Sequence, residues 1–478
     1  MNLQQLLHGI STLSPVPDVE VTELCRDSRK VTAGCVFVCI RGTGVDSHDF
    51  AAAAVEQGAA AVVTERDLGL PCQVLVADGR AAWARMCANY FGNPAERLKL
   101  IGITGTNGKT STTYLLKAIL EQAGHRVGLI GTIQNLIGDR VLASGHTTPD
   151  PFELQQMLCT MADEGCTFAV MEVSSHALDQ DRVGGITFEA AVFTNLTQDH
   201  LDYHKTMEQY AAAKKKLFSM CRAAVLNKDD VAHRVMAEGM TCPCVTYSAH
   251  DDAANYTARG IRPRPDGVDF DLVGFDGIGR VRLATPGQFS VYNALAAAAC
   301  ALTVGVDFAT VTTALSAAGI VKGRAEVVPT DRDFTVVIDY AHTPDGLLNI
   351  CETLNACKAG RLVTLFGCGG DRDRTKRPKM GAMAAAHSDF VIVTSDNPRS
   401  EDPEAIIADI LPAVEQSGTP FTVIPDRVTA IEWALRNAQT GDTILLAGKG
   451  HETYQILKEK TITLDEREVV YNALKEGR

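Results

Sequence analysis

Residues Gly102-Ile103-Thr104-Gly105-Thr106-Asn107-Gly108-Lys109-Thr110-Ser111 combine what chemistry on a phosphate needs. Gly105 and Gly108 permit a tight turn that aims backbone N–H groups at one point, and a helix starting there adds its positive end. Lys109 supplies a mobile cation for the β- and γ-phosphates, and Thr110 offers a hydroxyl to Mg²⁺. The stretch points to ATP, with Gly105, Thr106, Asn107, Gly108, Lys109, Thr110 and Ser111 as its binding residues. It is a variant loop, because Ile103 stands where the generic phosphate-loop pattern has glycine.

Other reactive residue types stand in short polar motifs. Glu172 precedes Val173-Ser174-Ser175-His176, and His200 lies within Asn195–Asp202. A carboxylate and an imidazole near a triphosphate suit a Mg²⁺ site. Each alone is equally explained by capping or packing. Lys214 opens the run Lys214-Lys215-Lys216, which also reads as a solvated helix face. Spacing does not separate the three lysines.

Elements must position these groups. An apolar run (Leu98, Leu100, Ile101, Ile103) predicts a strand before the loop, and Leu115, Leu116, Ile119 and Leu120 predict a helix after it, ending at Gly124. Strands over 168–173, 190–194 and 223–226 alternate with helical patterns, which predicts a parallel sheet. Residues 254–285 read as an antiparallel hairpin region, and a helix follows over 290–305. From about residue 329, strands over 336–339, 362–366, 390–394, 421–424 and 444–447 alternate with helices in a second doubly wound sheet. Ligands gather at the carboxyl ends of such strands. Four polar motifs lie there: Tyr340–Asp345, Gly367–Arg372, Ser395–Arg399 and Gly448–Glu452. Residues 1–97 form a third α/β block, closed by Asn93-Pro94.

A chain of 478 residues exceeds one ordinary core. Its 46% apolar and 22% charged content is that of a soluble globular protein, and a net charge of −13 argues against nucleic acid. No apolar run reaches the roughly 20 residues that span a bilayer. The first residues lack a secretion pattern. Fourteen cysteines scattered in apolar stretches fit a reducing compartment, so a cytoplasmic protein without membrane insertion is expected.

The form Gly105–Ser111 resembles the loop of the Mur ligases and the folylpolyglutamate synthetases, in which ATP activates a carboxylate for attack by an amine. Across the chain the resemblance is to the Mur ligases. It is carried in order by Asp27-Ser28-Arg29, the loop, Thr147-Thr148-Pro149, Glu172–His176, Gln180 and Arg182, Asp199–Asp202, Tyr210–Lys214, Gly323-Arg324, Asp339–Asp345, Gly369–Asp373, Asp396–Arg399 and Gly448–Glu452.

The resemblance implies an α/β fold of three domains. A central P-loop parallel-sheet ATPase domain (98–328) is flanked by an N-terminal α/β domain for the UDP-sugar (1–97) and a C-terminal Rossmann-like domain for the amino acid (329–478). It implies a monomeric ADP-forming ligase of peptidoglycan precursor synthesis. The substrates would be ATP, UDP-N-acetylmuramoyl-L-alanyl-D-glutamate and meso-diaminopimelate, with Mg²⁺ as cofactor. Lys109, Glu172, His200 and Lys214 would be catalytic. Thr110, Glu172, His200 and Lys214 as its carbamate would hold metal. Asn293, Arg324, Asp339 and His342 would join the loop on ATP. Ser28, Thr147, Thr148, Ser174, Gln180 and Arg182 would hold the UDP-dipeptide.

The same resemblance assigns diaminopimelate to Arg372, Asp396, Asn397, Pro398, Arg399, Gly448 and Glu452. Diaminopimelate carries a distal carboxylate that lysine lacks, and Arg399 can grip it bidentately. The sequence departs from the family pattern at Gly42-Thr43-Gly44, on the uracil side, and at Ser290, where Asn is common. The rivals are an L-lysine-adding or later ligase of the series, a folylpolyglutamate synthetase, and a nucleotide-dependent binding protein without turnover. Arg399, the first block, and the joint presence of Lys214, Glu172 and Arg399 argue against them in turn.

Overall fold

Short apolar, β-branched runs build three groups of parallel strands. The computed structural model describes every residue except Thr43, Ala143, Ser144, Pro265, Asp266, Gly477 and Arg478. The uracil-side departure at Thr43 therefore lies outside the described residues. The chain forms two compact units: Met1–Gly102, His125–Ala190 and Lys216–Arg222 make one, and Ile103–Gly124, Ala191–Lys215 and Ala223–Arg478 the other.

In the first unit, Leu24–Cys25, Val36–Val38, Ala61–Thr64 and Gln73–Leu75 pair in that order, all parallel. Both faces are covered. Val36, Val38 and Val63 pack with Val74, Trp83 and Met86 on one side, while Phe37 and Val62 pack with Cys35, Cys39 and Ala54 on the other. Parallel strands read as unbroken apolar runs for this reason. Val127–Ile130 pairs parallel with Phe168–Glu172, and carries an antiparallel extension over Asn135–Ile137 and Arg140–Leu142. That extension was not expected from the sequence.

In the second unit, Ala190–Phe193, Ala224–Asn227, Cys244–Ser248 and Tyr256–Arg264 are parallel in succession. Gly267–Gly274 and Gly277–Leu283 then turn antiparallel, as the alternating pattern predicts. The Gln288–Thr303 helix is buried along almost its whole length and packs on the Lys109–Gln122 helix. The last sheet runs Glu326–Val328, Thr335–Asp339, Thr443–Ala447, Leu362–Phe366, Phe390–Val393 and Phe421–Val423 in spatial order, with only the first strand antiparallel. Its parallel strands bring the motifs that follow Asp339, Phe366, Val393 and Ala447 to one edge. A small hairpin, Tyr454–Ile456 with Thr461–Thr463, is a further addition to the expected elements.

Candidate active site

The phosphate loop leads into the Lys109–Gln122 helix, with Gly108 at its N-cap in the left-handed region. Only glycine fits at two points. A Cβ on Gly105 would lie 1.8 Å from Thr194 Oγ1, and one on Gly108 would lie 2.3 Å from Asn293 Oδ1. The loop is braced from the segment after Ala190–Phe193. Thr194 Oγ1 donates to the Asn107 carbonyl at 2.6 Å, and Asn107 N–H donates to Asn195 Oδ1 at 2.8 Å. Thr106 Oγ1 meets the Tyr210 hydroxyl at 3.1 Å. Lys109 Nζ folds over the turn and donates to the carbonyls of Gly105 and Thr106 at 2.9 and 2.8 Å. An open cleft beside it is lined by Ser111, Leu115, Thr285, Asn293, Val321 and Arg324. Three of the residues expected on the nucleotide thus share one cleft.

The structure separates the three lysines that spacing left together. Lys214 is 1% exposed, and its Nζ donates to the Gly105 carbonyl at 2.8 Å. Lys215 pairs with Glu238 at 2.8 Å, and Lys216 is half exposed. Burial, and then the neighbouring Lys109 cation, push the Lys214 pKa well below the ordinary lysine value, against an opposing pull from Asp199. A neutral amine is the form that reacts with CO₂ to give a carbamate.

Asp199, from the Asp199–Asp202 motif, is a buried hub with no role expected on sequence grounds. His200 Nε2 lies 3.3 Å from it, Lys376 Nζ 3.7 Å and His342 Nε2 3.8 Å. Burial works against its charge, yet His200, Lys376 and His342 hold its carboxyl well below the usual range. Other polar contacts join the same two segments of the unit. Asn107 Nδ2 donates to Asp345 Oδ2 at 2.8 Å, Gln198 Nε2 to Thr375 Oγ1 at 3.0 Å, and Arg324 Nη2 to Thr110 Oγ1 at 2.9 Å. Asp339 turns both oxygens to backbone, accepting from Ala325 and Ala341 N–H at 2.7 Å each, so it pins the segment that carries Arg324.

Burial and Lys376 lower the His342 pKa from 6.5 to about 4. The unfolded chain takes up this proton near 6.5 and the folded chain only near 4. Between those values the unfolded state binds more protons, so this group makes stability fall as pH falls. Changing His342→Gln is expected to flatten the acid-side decline of the urea midpoint across that window. Equal declines in the two proteins would show that the ring does not titrate there.

The residues expected on the amine lie at the adjoining strand ends. Arg399 sits at φ 52°. Its Nη1 donates to the carbonyls of Gly370 and Asn397 at 2.9 and 3.4 Å. Burial and then the nearby Arg372 lower its pKa, and Arg372 itself donates to the Asp371 carbonyl at 2.9 Å. Glu452 is anchored through one oxygen: Asn397 Nδ2 donates to Oε2 at 2.9 Å and the fully buried Lys449 Nζ at 3.1 Å. Against the effect of burial, Lys449 and Arg427 hold the Asp396 carboxyl below its ordinary value. A Cβ on Gly448 would lie 2.7 Å from Asp396 Oδ2, and Pro398 follows in the same turn.

In the first unit, six expected residues join one network. Thr132 donates its N–H to Glu172 Oε1 at 2.8 Å and its hydroxyl to Oε2 at 3.0 Å, and that hydroxyl also meets Thr147 Oγ1 at 3.0 Å. Thr148 Oγ1 donates to the Glu172 carbonyl at 2.9 Å and accepts from Ser174 N–H at 3.0 Å. Arg182 Nη1 donates to the Thr148 carbonyl and its Nη2 to Gln180 Oε1, both at 2.9 Å. Ser28 starts a short 3₁₀ turn capped by Asp27, apart from this network.

Models of known families match most of the chain. The Mur ligase family catalytic domain matches residues 20–81, the Mur ligase middle domain 103–301, and the Mur ligase glutamate ligase domain 323–450. A UDP-N-acetylmuramoyl-L-alanyl-D-glutamate–2,6-diaminopimelate ligase of Caldanaerobacter subterraneus subsp. tengcongensis is 49% identical over the full length of both chains. The chain belongs to the Mur ligase family. The enzyme of the same name from Clostridium botulinum is 45% identical over 96% of each chain. A solved structure of such a ligase, 35% identical, superposes with a TM-score of 0.71 over 100% of this chain and 99% of that one.

In this Mur ligase, Asp199, Lys376, Lys449 and Tyr340 had no role expected on sequence grounds. Asp199 and Lys449 carried a usable signal, since a charged residue inside a polar strand-end motif seldom faces solvent alone. Lys376 carried little, being one cation in a basic run.

Proposed function

We propose that this Mur ligase joins an amine of meso-diaminopimelate to the D-glutamate γ-carboxylate of UDP-N-acetylmuramoyl-L-alanyl-D-glutamate, with ATP going to ADP and phosphate. The step belongs to peptidoglycan precursor synthesis, hence to cell-wall biogenesis, cell shape and division. We assign it to a single chain in the cytoplasm, with domains at 1–97, 98–328 and 329–478. One observation carries the choice of amine. Among the described residues no carboxylate lies within ion-pair distance of Arg399 or Arg372, while Asn397 and Lys449 fix the orientation of Glu452 nearby. A ligand with a carboxylate beside an ammonium fits both.

In the proposed reaction the substrate γ-carboxylate attacks the γ-phosphorus, the bond to the β–γ bridging oxygen breaks, and ADP leaves. The amine then attacks the acyl carbon, loses a proton, and phosphate leaves. Lys109 and the loop amides stabilise charge on the transferred group. The Gly105–Ser111 loop, Asn293 and Arg324 hold the nucleotide, with Asp339 and His342 framing it. Thr147, Thr148, Ser174, Gln180 and Arg182 hold the dipeptide arm, and Ser28 the UDP end.

Among the described residues no group of three His, Cys, Asp or Glu could hold a metal by itself. Mg²⁺ keeps water and phosphate oxygens around it and takes few protein ligands. Thr110, Glu172, His200 and Lys214 as its carbamate are the proposed holders. When bound, Mg²⁺ neutralises charge on the phosphates.

Phosphate release tests this directly. It is expected only when ATP, the UDP-dipeptide and meso-diaminopimelate are all present. Lys109→Ala is expected to lower kcat by at least about a hundredfold, as loss of a charge-stabilising donor does, with the fold intact. Near-wild-type turnover in that variant would remove the loop from the mechanism.

A further inference from the structure

We propose that Tyr340 is a positioning residue that makes filling of the amine end and the grip on the nucleotide depend on each other, acting through Arg324. The proposal rests on the function proposed above.

Tyr340 directly follows the Thr335–Asp339 strand and stands between the two ends of the site. Its hydroxyl lies 3.5 Å from Glu452 Oε1. That is the oxygen which Asn397 and Lys449, both bound to Oε2, leave to Tyr340 and to an incoming ammonium. The face of its ring carries the Arg324 guanidinium, 4.8 Å from the centroid, within cation–π range. Arg324 reaches onward to Thr110 Oγ1, at the phosphate loop. One aromatic ring thus touches both the residue expected to meet the amine and the residue that reaches the triphosphate end.

The backbones behind these side chains are in direct contact. Tyr340 N–H donates to the Gly323 carbonyl at 3.0 Å. Gly323 and Gly450 both have positive φ. A Cβ on the first would lie 2.2 Å from His451 N, and one on the second 2.6 Å from Tyr340 Cβ. The segment that carries Arg324 and the loop that carries Glu452 therefore pack backbone against backbone, with no room for a side chain between them. Ala325, next to Arg324, has φ 46°, which is strained for a residue with a side chain and persists because Asp339 holds its N–H.

An ammonium that draws on Glu452 Oε1 competes with, or realigns, the Tyr340 hydroxyl. The ring then shifts the platform under Arg324, and Arg324 changes its hold at the phosphate end. Coupling of this kind is reciprocal in binding free energy: the factor by which the amine changes nucleotide affinity equals the factor by which the nucleotide changes amine affinity. Its chemical use is to make the nucleotide grip tightest when an amine is present to take the acyl group, so that water is a poorer competitor. If Tyr340 merely packs, its loss weakens both ligands without changing that factor.

The test is a titration of wild type, Tyr340→Phe and Tyr340→Leu with a β,γ-methylene ATP analogue and Mg²⁺. Each protein is measured with and without saturating meso-diaminopimelate. The ratio of the two Kd values is the readout, because a general loss of affinity cancels from it. The wild-type ratio is expected to be about fivefold or more, the lower range of ordinary allosteric coupling. Tyr340→Leu should bring it to within about twofold of unity. Tyr340→Phe, which keeps the ring under Arg324 and loses the hydroxyl, should give a smaller ratio than wild type and a raised amine KM. Ratios equal to wild type in Tyr340→Phe, whether or not Tyr340→Leu folds, would overturn the proposal, as would a wild-type ratio of one. Wild-type turnover with meso-diaminopimelate, measured alongside, separates that failure from failure of the proposed function.

Discussion

Lys214→Ala is expected to leave a folded protein whose kcat is lower by about a hundredfold to a thousandfold, the range seen when a group stabilising transition-state charge is removed. The cause is electrostatic. A bare ammonium at this buried position would sit beside Lys109, sharing the Gly105 carbonyl with it. Two cations there are costly, and neutralisation is the relief that burial favours. Carbamylation goes further and supplies an anion. Since the amine must be neutral to react, activity is expected to fall as pH drops through its lowered pKa and to rise with added bicarbonate. A short carboxylic acid that fits the space left in Lys214→Ala should restore part of the lost rate. Full activity of wild type under CO₂-free conditions would contradict the carbamate.

Arg399→Ala is expected to raise the meso-diaminopimelate KM steeply and to shrink the preference over L-lysine. Truncating one partner of a buried charge pair costs about 2–5 kcal/mol, or roughly 30-fold to several thousandfold in kcat/KM. The guanidinium is held by the Gly370 and Asn397 carbonyls, so it is already aimed before a ligand arrives. Lysine would leave that charge without a carboxylate partner. With amine saturating, the KM for ATP should change little, because the residues expected on the nucleotide lie elsewhere. An unchanged ratio of kcat/KM values for the two amines would separate Arg399 from specificity.

Much of the fold was legible because buried parallel strands announce themselves. Leu362–Phe366 and Ala61–Thr64 occur where their apolar runs predict them. The hairpins of Asn135–Ile137 with Arg140–Leu142 and of Tyr454–Ile456 with Thr461–Thr463 were not, since strands of three residues are too short to show a period. At the site, glycines and strand-end motifs were readable because they act locally. Lys214 could not be told from Lys215 and Lys216, because their burial depends on which side of a helix end meets the phosphate loop. Lys376 and Tyr340 draw their meaning from partners far away in sequence, as with the Asn107–Asp345 contact, and no local pattern records such pairs.

The central claim is the identity of the amine joined to the UDP-dipeptide. Wild-type protein, ATP, Mg²⁺ and the UDP-dipeptide should be given meso-diaminopimelate and L-lysine together at equal concentration, and the two tripeptide products weighed by mass spectrometry. The diaminopimelate product is expected in large excess, by about a hundredfold or more on the cost of an unpaired buried charge. Comparable amounts of the two products, or an excess of the lysine product, would contradict it.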